Sequence, residues 1–237
     1  EQWLEFNMYQ ENCWKKSISL KGVRTDCFKG KKLILELALQ GAISIRQYTT
    51  ETEDGTQQQV PDMKQLTVRQ KQNGGAVKEI PVIPGTTWAG AIGHRMQLFY
   101  PSSSKFFGSG GEQEKERSRI FFSESQLEDH ADKVLSRNAI DRFTAGTVDG
   151  ALFTEKISYG GTTVLEIYLD PRAEKDKNFV VALAAALADL HEGFLAVGGG
   201  TAVGRGIFQV QKVNGLDFSG DGSELYKRIL RIFREGA

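Results

Sequence analysis

An α+β fold is what this sequence predicts, and three observations predict it. Leu33, Leu35, Leu37 and Leu39 recur at period two, the spacing of a strand with one buried face. Two helical stretches follow: one with Trp88, Ile92, Met96 and Phe99 on a single face, the other the apolar run NFVVALAAALADLHEGF at 178–194. Between them ALFTEKI and TTVLEIYLD flank Tyr159, Gly160 and Gly161, which reads as two strands joined by a turn. The order strand, helix, strand, strand, helix, strand is the βαββαβ pattern of ferredoxin-like folds, shared by the RNA recognition motif. Here it carries long insertions.

Each element has its own justification. Residues 1–30, with Trp3, Phe6, Tyr9 and Trp14 among polar neighbours, form an N-terminal extension too short for a domain. The strand at Leu33–Leu39 is expected to run on through Ile43 and Ile45. Residues 47–80 are Gln- and Gly-rich and aperiodic, so they read as an extended insertion. Pro84 and Gly85 then punctuate, Thr86 or Thr87 is placed to cap, and the first helix begins. A Gly/Ser and charged stretch forms a second insertion at 101–118, RIFFSE is a short strand, and 124–149 reads as an irregular third insertion. The apolar helix from Asn178 is free of internal Gly or Pro until Gly193 and is expected to be buried. A glycine-rich loop, GGGTAVGRG, leads into the last strand. Residues 31–213 therefore read as one domain, followed at 214–237 by a basic amphipathic helix capped by Ser223. Its Leu225, Ile229, Ile232 and Phe233 oppose Lys227, Arg228, Arg231 and Arg234.

Composition narrows the function classes. The chain has 237 residues, with 30 Lys plus Arg against 30 Asp plus Glu, so no global basic field advertises a polyanion partner. A locally basic groove remains compatible with that balance. Cys13 and Cys27 match no zinc spacing and give no disulfide framework, as expected of free thiols in a reducing cytoplasm. No signal peptide or long apolar run occurs, which predicts a cytoplasmic protein with no membrane partner. No Walker loop, HExxH, paired CxxC or Ser/His/Asp arrangement is present, and no metal-ligand set is read.

Several residues can carry chemistry. At Gly85, Thr86 and Thr87 a helix N-terminus exposes unpaired N–H groups that suit a phosphate; the plain alternative is a Pro/Gly turn with a threonine cap. Five glycines between 198 and 206 let a backbone approach a ligand, and Arg205 stands between two of them. A single C-cap glycine would suffice for a bare connection, so an exposed anion-holding loop is expected. Asp141 could orient Arg142 toward a ligand, or the two form a surface pair. His191, ending the apolar helix, reads as a partner of the helix dipole, and His130 has no evident role. His94 is either solvated or an acid/base. The acidic residues Glu51, Glu53, Asp54 and Asp62 could bind a divalent cation or activate a hydroxyl.

Three separated segments carry a resemblance. IPVIPGTTWAGAIGHRM, IDRFTAGTVDGALFTEKISYGGTTVLEIYL and VGGGTAVGRGIFQV are similar, in this order, to the IPG signature, the IDR segment and the glycine-rich loop of CRISPR-associated RAMP superfamily proteins. They most resemble the Cas7-like subunits that form the backbone of type III effectors. The resemblance implies a protein that grips CRISPR guide RNA by its backbone, in contact with target RNA and with other effector subunits. Its residues here would be Gly85, Thr86, Thr87, His94, Arg95, Arg142, Gly198, Gly199, Gly200, Thr201 and Arg205. The stretch 47–80 would match the family's thumb-like or lid element. Where the family has Lys and Arg, this chain has Ala89 and Gly93, so that lysine contact is not carried over. Nuclease members place an aspartate before the IPG segment. Asp62 lies a few residues early, the best-matched position falls near Lys64 or Gln65, and Asp54 and His94 are the other catalytic candidates. A divalent metal such as Mg enters only if the chain is a metal-dependent endoribonuclease. Two other readings stay open: a Cas6-like processing endoribonuclease centred on His94, and a non-catalytic scaffold or interaction subunit.

Overall fold

Leucines at every second position set the first strand, β1 (Lys31–Gln40), whose Leu33, Leu35, Leu37 and Leu39 are buried while Lys32 and Glu36 face away. The computed structural model describes residues 30–48, 61–71, 77–110 and 115–235. After β1 come β2 (Ala42–Ile43), β3 (Arg46–Tyr48), β4 (Met63–Gln65), β5 (Thr67–Lys71) and β6 (Val77–Ile83), then helix α1 (Gly85–Phe99). A 3-10 turn over Pro101–Phe107 precedes β7 (Ser109–Gly110), β8 (Lys115–Glu116), β9 (Ile120–Phe122), β10 (Ser125–Glu128), β11 (Ala131–Arg137), β12 (Phe153–Tyr159) and β13 (Thr162–Leu169). The chain then forms α2 (Pro171–Lys175), α3 (Lys177–His191), β14 (Ile207–Val213), β15 (Leu216–Asp217) and α4 (Gly222–Glu235).

The result is a mixed α+β structure with substantial antiparallel sheet. The main sheet runs β15-β14-β1-β13-β10-β6-β5, with β9 also on β13. A second sheet runs β11-β12-β4-β3, with β2 on β12. In the main sheet the strands that bracket α1 and α3 lie as fourth, first, third, second, and all their pairings are antiparallel. β9 and β10 continue one another along β13 across a break where Ser123 N–H donates to the Glu166 carbonyl at 2.9 Å.

The helices bury what their patterns put on one side. Trp88, Ile92 and Met96 of α1 are fully buried, and the Trp88 indole N–H donates to Ser125 Oγ at 3.2 Å. Phe99, expected on the same face, is 49% exposed and lies 5.7 Å from the Arg95 guanidinium. Asp176 caps α3 by accepting from Phe179 N–H at 3.1 Å. α3 is buried nearly all round because α1, α4 and β14 pack against it. In α4, Leu225, Ile229, Leu230 and Phe233 are buried. The cap is the carboxylate of Asp221, which accepts from Glu224 N–H at 2.9 Å, rather than Ser223.

Four sequence expectations change. β1 does not run on through Ile43: at Gly41, with φ of +87°, the chain leaves the main sheet, and β2 pairs with β12. ALFTEKI and TTVLEIYLD are strands, but not a hairpin, since β12 and β13 belong to different sheets. Gly161, at φ +102°, lets the chain switch, and a Cβ there would land on the Glu128 carbonyl oxygen. Stretch 124–149, read as irregular, contains β10 and β11; its outward-facing polar residues hid them. The described part of 47–80 holds β4, β5 and β6, and β6 pairs with β10 as part of the main sheet. The extension at 1–29 and the stretches 49–60 and 72–76, including Asp54, lie outside the described residues.

The sheet switch is testable by comparing neighbouring glycines. Gly160, at φ +66°, has open space where a Cβ would sit, so Gly160→Ala should cost only the left-handed backbone, about 1–2 kcal/mol. Gly161→Ala adds steric overlap with backbone to its strain and should cost clearly more. Thermal melting reads the difference, at about 2–4 °C per kcal/mol for a chain of this size. Equal melting temperatures would remove the steric role given to Gly161.

Candidate nucleic-acid interface

The glycine-rich loop is built by close packing before any ligand is considered. After α3 the chain buries Leu195 and Val197, then runs along the backbone around Ser44. Gly199 N–H donates to the Ser44 carbonyl at 2.7 Å, and Gly206 N–H donates to the Ala42 carbonyl at 2.8 Å. A Cβ on Gly198 or Gly199 would press on Ser44 O at 3.0 and 3.1 Å. Gly206, at φ +73°, lies so close to Val197 that any Cβ would overlap its carbonyl. Gly200, also left-handed, opens a 3-10 turn at Thr201–Val203. Thr201, Ala202, Val203 and Gly204 are exposed, whereas Arg205 and Gly206 are buried. The loop is thus a fixed arch with a solvent-facing outer turn.

Arg205 does not reach outward as expected. Its side chain is 7% exposed and meets Glu155, itself 2% exposed, in a two-pronged ion pair. Nη1 donates to Glu155 Oε2 at 3.0 Å and Nη2 to Oε1 at 2.6 Å. The Arg137 Nε lies 3.2 Å from the same Oε1, and Arg46 adds positive charge nearby. The Arg205 hydrogen bonds hold the Glu155 carboxyl below the ordinary glutamate value; burial opposes them, and the charges of Arg205, Arg137 and Arg46 reinforce them. Among the described residues, three arginines gather at this one carboxylate and leave an excess of positive charge. Arg46 and Arg137 carry it to the surface: Arg137 is 41% exposed, and Arg46 is partly exposed beside Gly199.

A buried glutamine ties this corner to the start of α1. Gln65, 4% exposed, accepts from Ile45 N–H at 2.7 Å and donates to the Val82 carbonyl at 3.1 Å. Ile45 follows the Ser44 that holds the glycine loop, and Val82 stands three residues before Gly85. Neither threonine caps α1: Pro84 is the N-cap residue and no side chain caps the helix. Its first N–H groups are therefore free of side-chain competition. Thr86 is exposed and Thr87 half-buried. Gly85 is required by packing, since a Cβ would strike the Phe122 carbonyl oxygen.

The other candidates are scattered. His94 is exposed on α1, about 14 Å along the axis from Gly85 at 1.5 Å per residue. Arg95 is engaged by Asp189 of α3 at 2.6 Å. Arg142 lies in the 138–152 excursion over the neighbouring Phe143 ring. Asp141 does not orient it, but accepts from Phe143 and Thr144 N–H to close a turn; these bonds, that to Thr144 foremost, lower its carboxyl pKa. The carboxylate of Asp62 accepts from Thr154 N–H at 2.7 Å, one residue before Glu155. His191 is a structural bridge: its Nδ1 accepts from Val210 N–H at 3.0 Å, so Nε2 carries the hydrogen and donates to the Gly220 carbonyl at 3.1 Å. His130 lies against the Leu127 carbonyl and Asp132. Gly93 is buried with the Phe107 ring against it, so a Cβ there would require that ring to shift. Among the described residues no three His, Cys, Asp or Glu side chains gather as a metal ion would need, and no helix is long and apolar enough to cross a membrane.

Sequence reasoning missed Arg46, Arg137 and Glu155, and reached Gln65 only as a place near which the nuclease members' aspartate would align. Glu155 had a signal, since it closes the LFTE of the IDR segment just as Arg205 stands in the GRG of the loop. The two motifs meet in one buried ion pair. A family model described as RAMP superfamily matches residues 73–209, more than half the chain. No curated protein matches it.

Removing either side of the pair strands a charge, so Glu155→Gln and Arg205→Ala should each destabilise the protein by about 3–5 kcal/mol in denaturant titrations near neutral pH. The folded pKa of Glu155 is depressed, so its contribution is complete above the ordinary 4.5 and fades as pH falls through the lower folded value. The stability gap between wild type and Glu155→Gln should therefore narrow below about pH 4.5. A gap independent of acid pH would count against an ionised Glu155.

Proposed function

The chain belongs to the RAMP superfamily, and from that premise we propose that it is a CRISPR RNA-binding subunit of the Cas7-like kind in a type III effector. In this reading the strand order β14-β1-β13-β10 with α1 and α3 is a ferredoxin-like core, and the second sheet is an elaboration of it. Its partners are guide RNA, target RNA and other effector subunits.

The observation that supports this most is the surplus of arginine at the glycine loop. Arg46 and Arg137 reach solvent where Gly198–Gly204 presents its outer turn, while Arg205 is consumed within the fold. Arg205 is then a positioning residue, and the contacting groups are Arg46, Arg137 and the backbone of the arch. Gly85 and Thr86 add the open N-terminus of α1, joined to the same corner through Gln65. All of these recognise phosphate and none reads a base, so RNA would be held without regard to sequence.

Fluorescence anisotropy with two guide-length RNAs of unrelated sequence tests this. Arg46→Ala and Arg137→Ala should weaken binding to both RNAs by the same factor. Each should also lower the slope of log K against log salt by about 0.7 for every phosphate it no longer neutralises. Melting is measured alongside, because Arg137 also touches Glu155. Unchanged affinity in folded variants, or a weakening confined to one RNA, would defeat the proposal.

A further inference from the structure

Side chains of β12 alternate between the two faces of the second sheet. Glu155 turns to Arg205 and the glycine loop, so Lys156 and Ser158 turn the other way. On that other side β5 and β6 of the main sheet meet β4, β11 and β12 around a cavity of about 120 Å³. This is well below the roughly 300 Å³ at which pockets for drug-sized ligands begin, so the cavity takes a group of a few heavy atoms. Pro81 is the one apolar residue in its lining among the described residues.

Strand register gathers the polar groups. Asp132 stands directly across from Ser158, and Lys64 directly across from Lys156. Ser158 is fully buried, and its Oγ has no hydrogen-bond partner among the described residues. A hydroxyl in that position calls for a partner that the fold itself does not supply. Lys156 gives one of its three N–H donors to Asp132 at 2.8 Å and keeps the others. Thr67 adds a second hydroxyl from β5. His130 donates from Nδ1 to the Leu127 carbonyl at 3.1 Å, which turns Nε2 toward Asp132 at 3.5 Å.

The charge at the cavity favours an anion. Both carboxylates in the lining already hold a cation: Asp132 has Lys156, and Glu79 has Arg69 at 3.3 Å. Among the described residues that line the cavity and their ion-pair partners, Lys64, Lys156 and Arg69 outnumber Asp132 and Glu79. A metal ion would find no group of three ligating side chains there among the described residues. Glu79 and Asp132 are exposed at the rim, and Ser158 lies at the buried end.

We propose that this cavity is a site for a terminal phosphate group, held by Lys64, Lys156, Thr67 and Ser158. Three phosphate oxygens meet these donors, and the fourth points to the rim, bearing a proton or the rest of a nucleotide or RNA end. A phosphodiester inside a chain carries sugar on two sides and does not enter a cavity of this size. The site is therefore separate from the arginine corner on the other face, and it does not rest on the RNA reading.

Titration calorimetry of the full chain with inorganic phosphate, at ionic strength matched with chloride, tests this. Saturable binding of one phosphate per chain is expected. Ser158→Ala and Thr67→Val should each weaken it by about tenfold, as for the loss of one hydrogen bond to a charged group, and Lys156→Met by at least as much. In phosphate-free buffer Ser158→Ala should melt like wild type, because its hydroxyl has no partner to lose. Added phosphate should raise the melting temperature of wild type more than that of Ser158→Ala. A short RNA with a 5′-phosphate that raises the apparent Kd for phosphate, when the same RNA with a 5′-hydroxyl does not, would identify an RNA end as the source. Inorganic phosphate binding that neither RNA disturbs would identify the free ion. Competition by both RNAs alike would overturn the terminal-group assignment. Absence of saturable phosphate binding would overturn the site itself, as would equal affinity in variants that melt like wild type, leaving a cavity that holds water alone.

Discussion

The buried pair between Glu155 and Arg205 is the constraint on which the corner around the glycine-rich loop depends. Glu155 comes from the second sheet and Arg205 from the loop that ends the main sheet's last crossover. A carboxylate and a guanidinium withdrawn from water each carry a large desolvation cost, and only mutual two-pronged contact offsets it. Neither can move without stranding the other, so the loop and the second sheet are held in one register. Around this neutralised centre the remaining arginines can be surplus.

The same corner is where the chain passes between its sheets. Gly41, Asp129 and Gly160–Gly161 are each a point at which the path leaves one sheet for the other, and all show positive φ. They support one another: Gly160 N–H donates to the Gly41 carbonyl at 2.7 Å, and Leu39 N–H donates to the Gly161 carbonyl at 2.9 Å. Leu66, between β4 and β5, is a fourth such point, with its N–H on the Ile45 carbonyl. The bends at Gly41 and at Gly160–Gly161 thus supply backbone partners to each other, which matters where a chain leaves a sheet and its ladder bonds end.

What the sequence disclosed follows from what a single strand or helix can encode. The leucine alternation of β1, the buried run of α3 and the core face of α1 were legible because burial on one side leaves a period. β11 was not, since Ala131–Arg137 is largely exposed and so carries no buried face to leave a period. The false hairpin at Gly160–Gly161 arose because a two-glycine turn looks alike whether the chain doubles back or changes sheets. The loop's glycines were legible as a group, but their reason was not: it lies in Ser44 and Val197, distant or unremarkable in sequence. Arg205 was expected at the surface for want of its partner fifty residues away. Only the acid in LFTE pointed to it.

The arch at Gly198–Gly206 has one more consequence. Its shape is set by backbone bonds to Ser44, Ala42 and Val197 and by the steric exclusion of side chains, before anything binds. A partner meeting it has no disordered segment to organise, so little conformational entropy is given up there. For the proposed RNA ligand, encounter at the arch would be a matter of diffusion and orientation near Arg46 and Arg137. The partner's lifetime on it would be set by how readily individual charge contacts let go, with no refolding step to slow either direction.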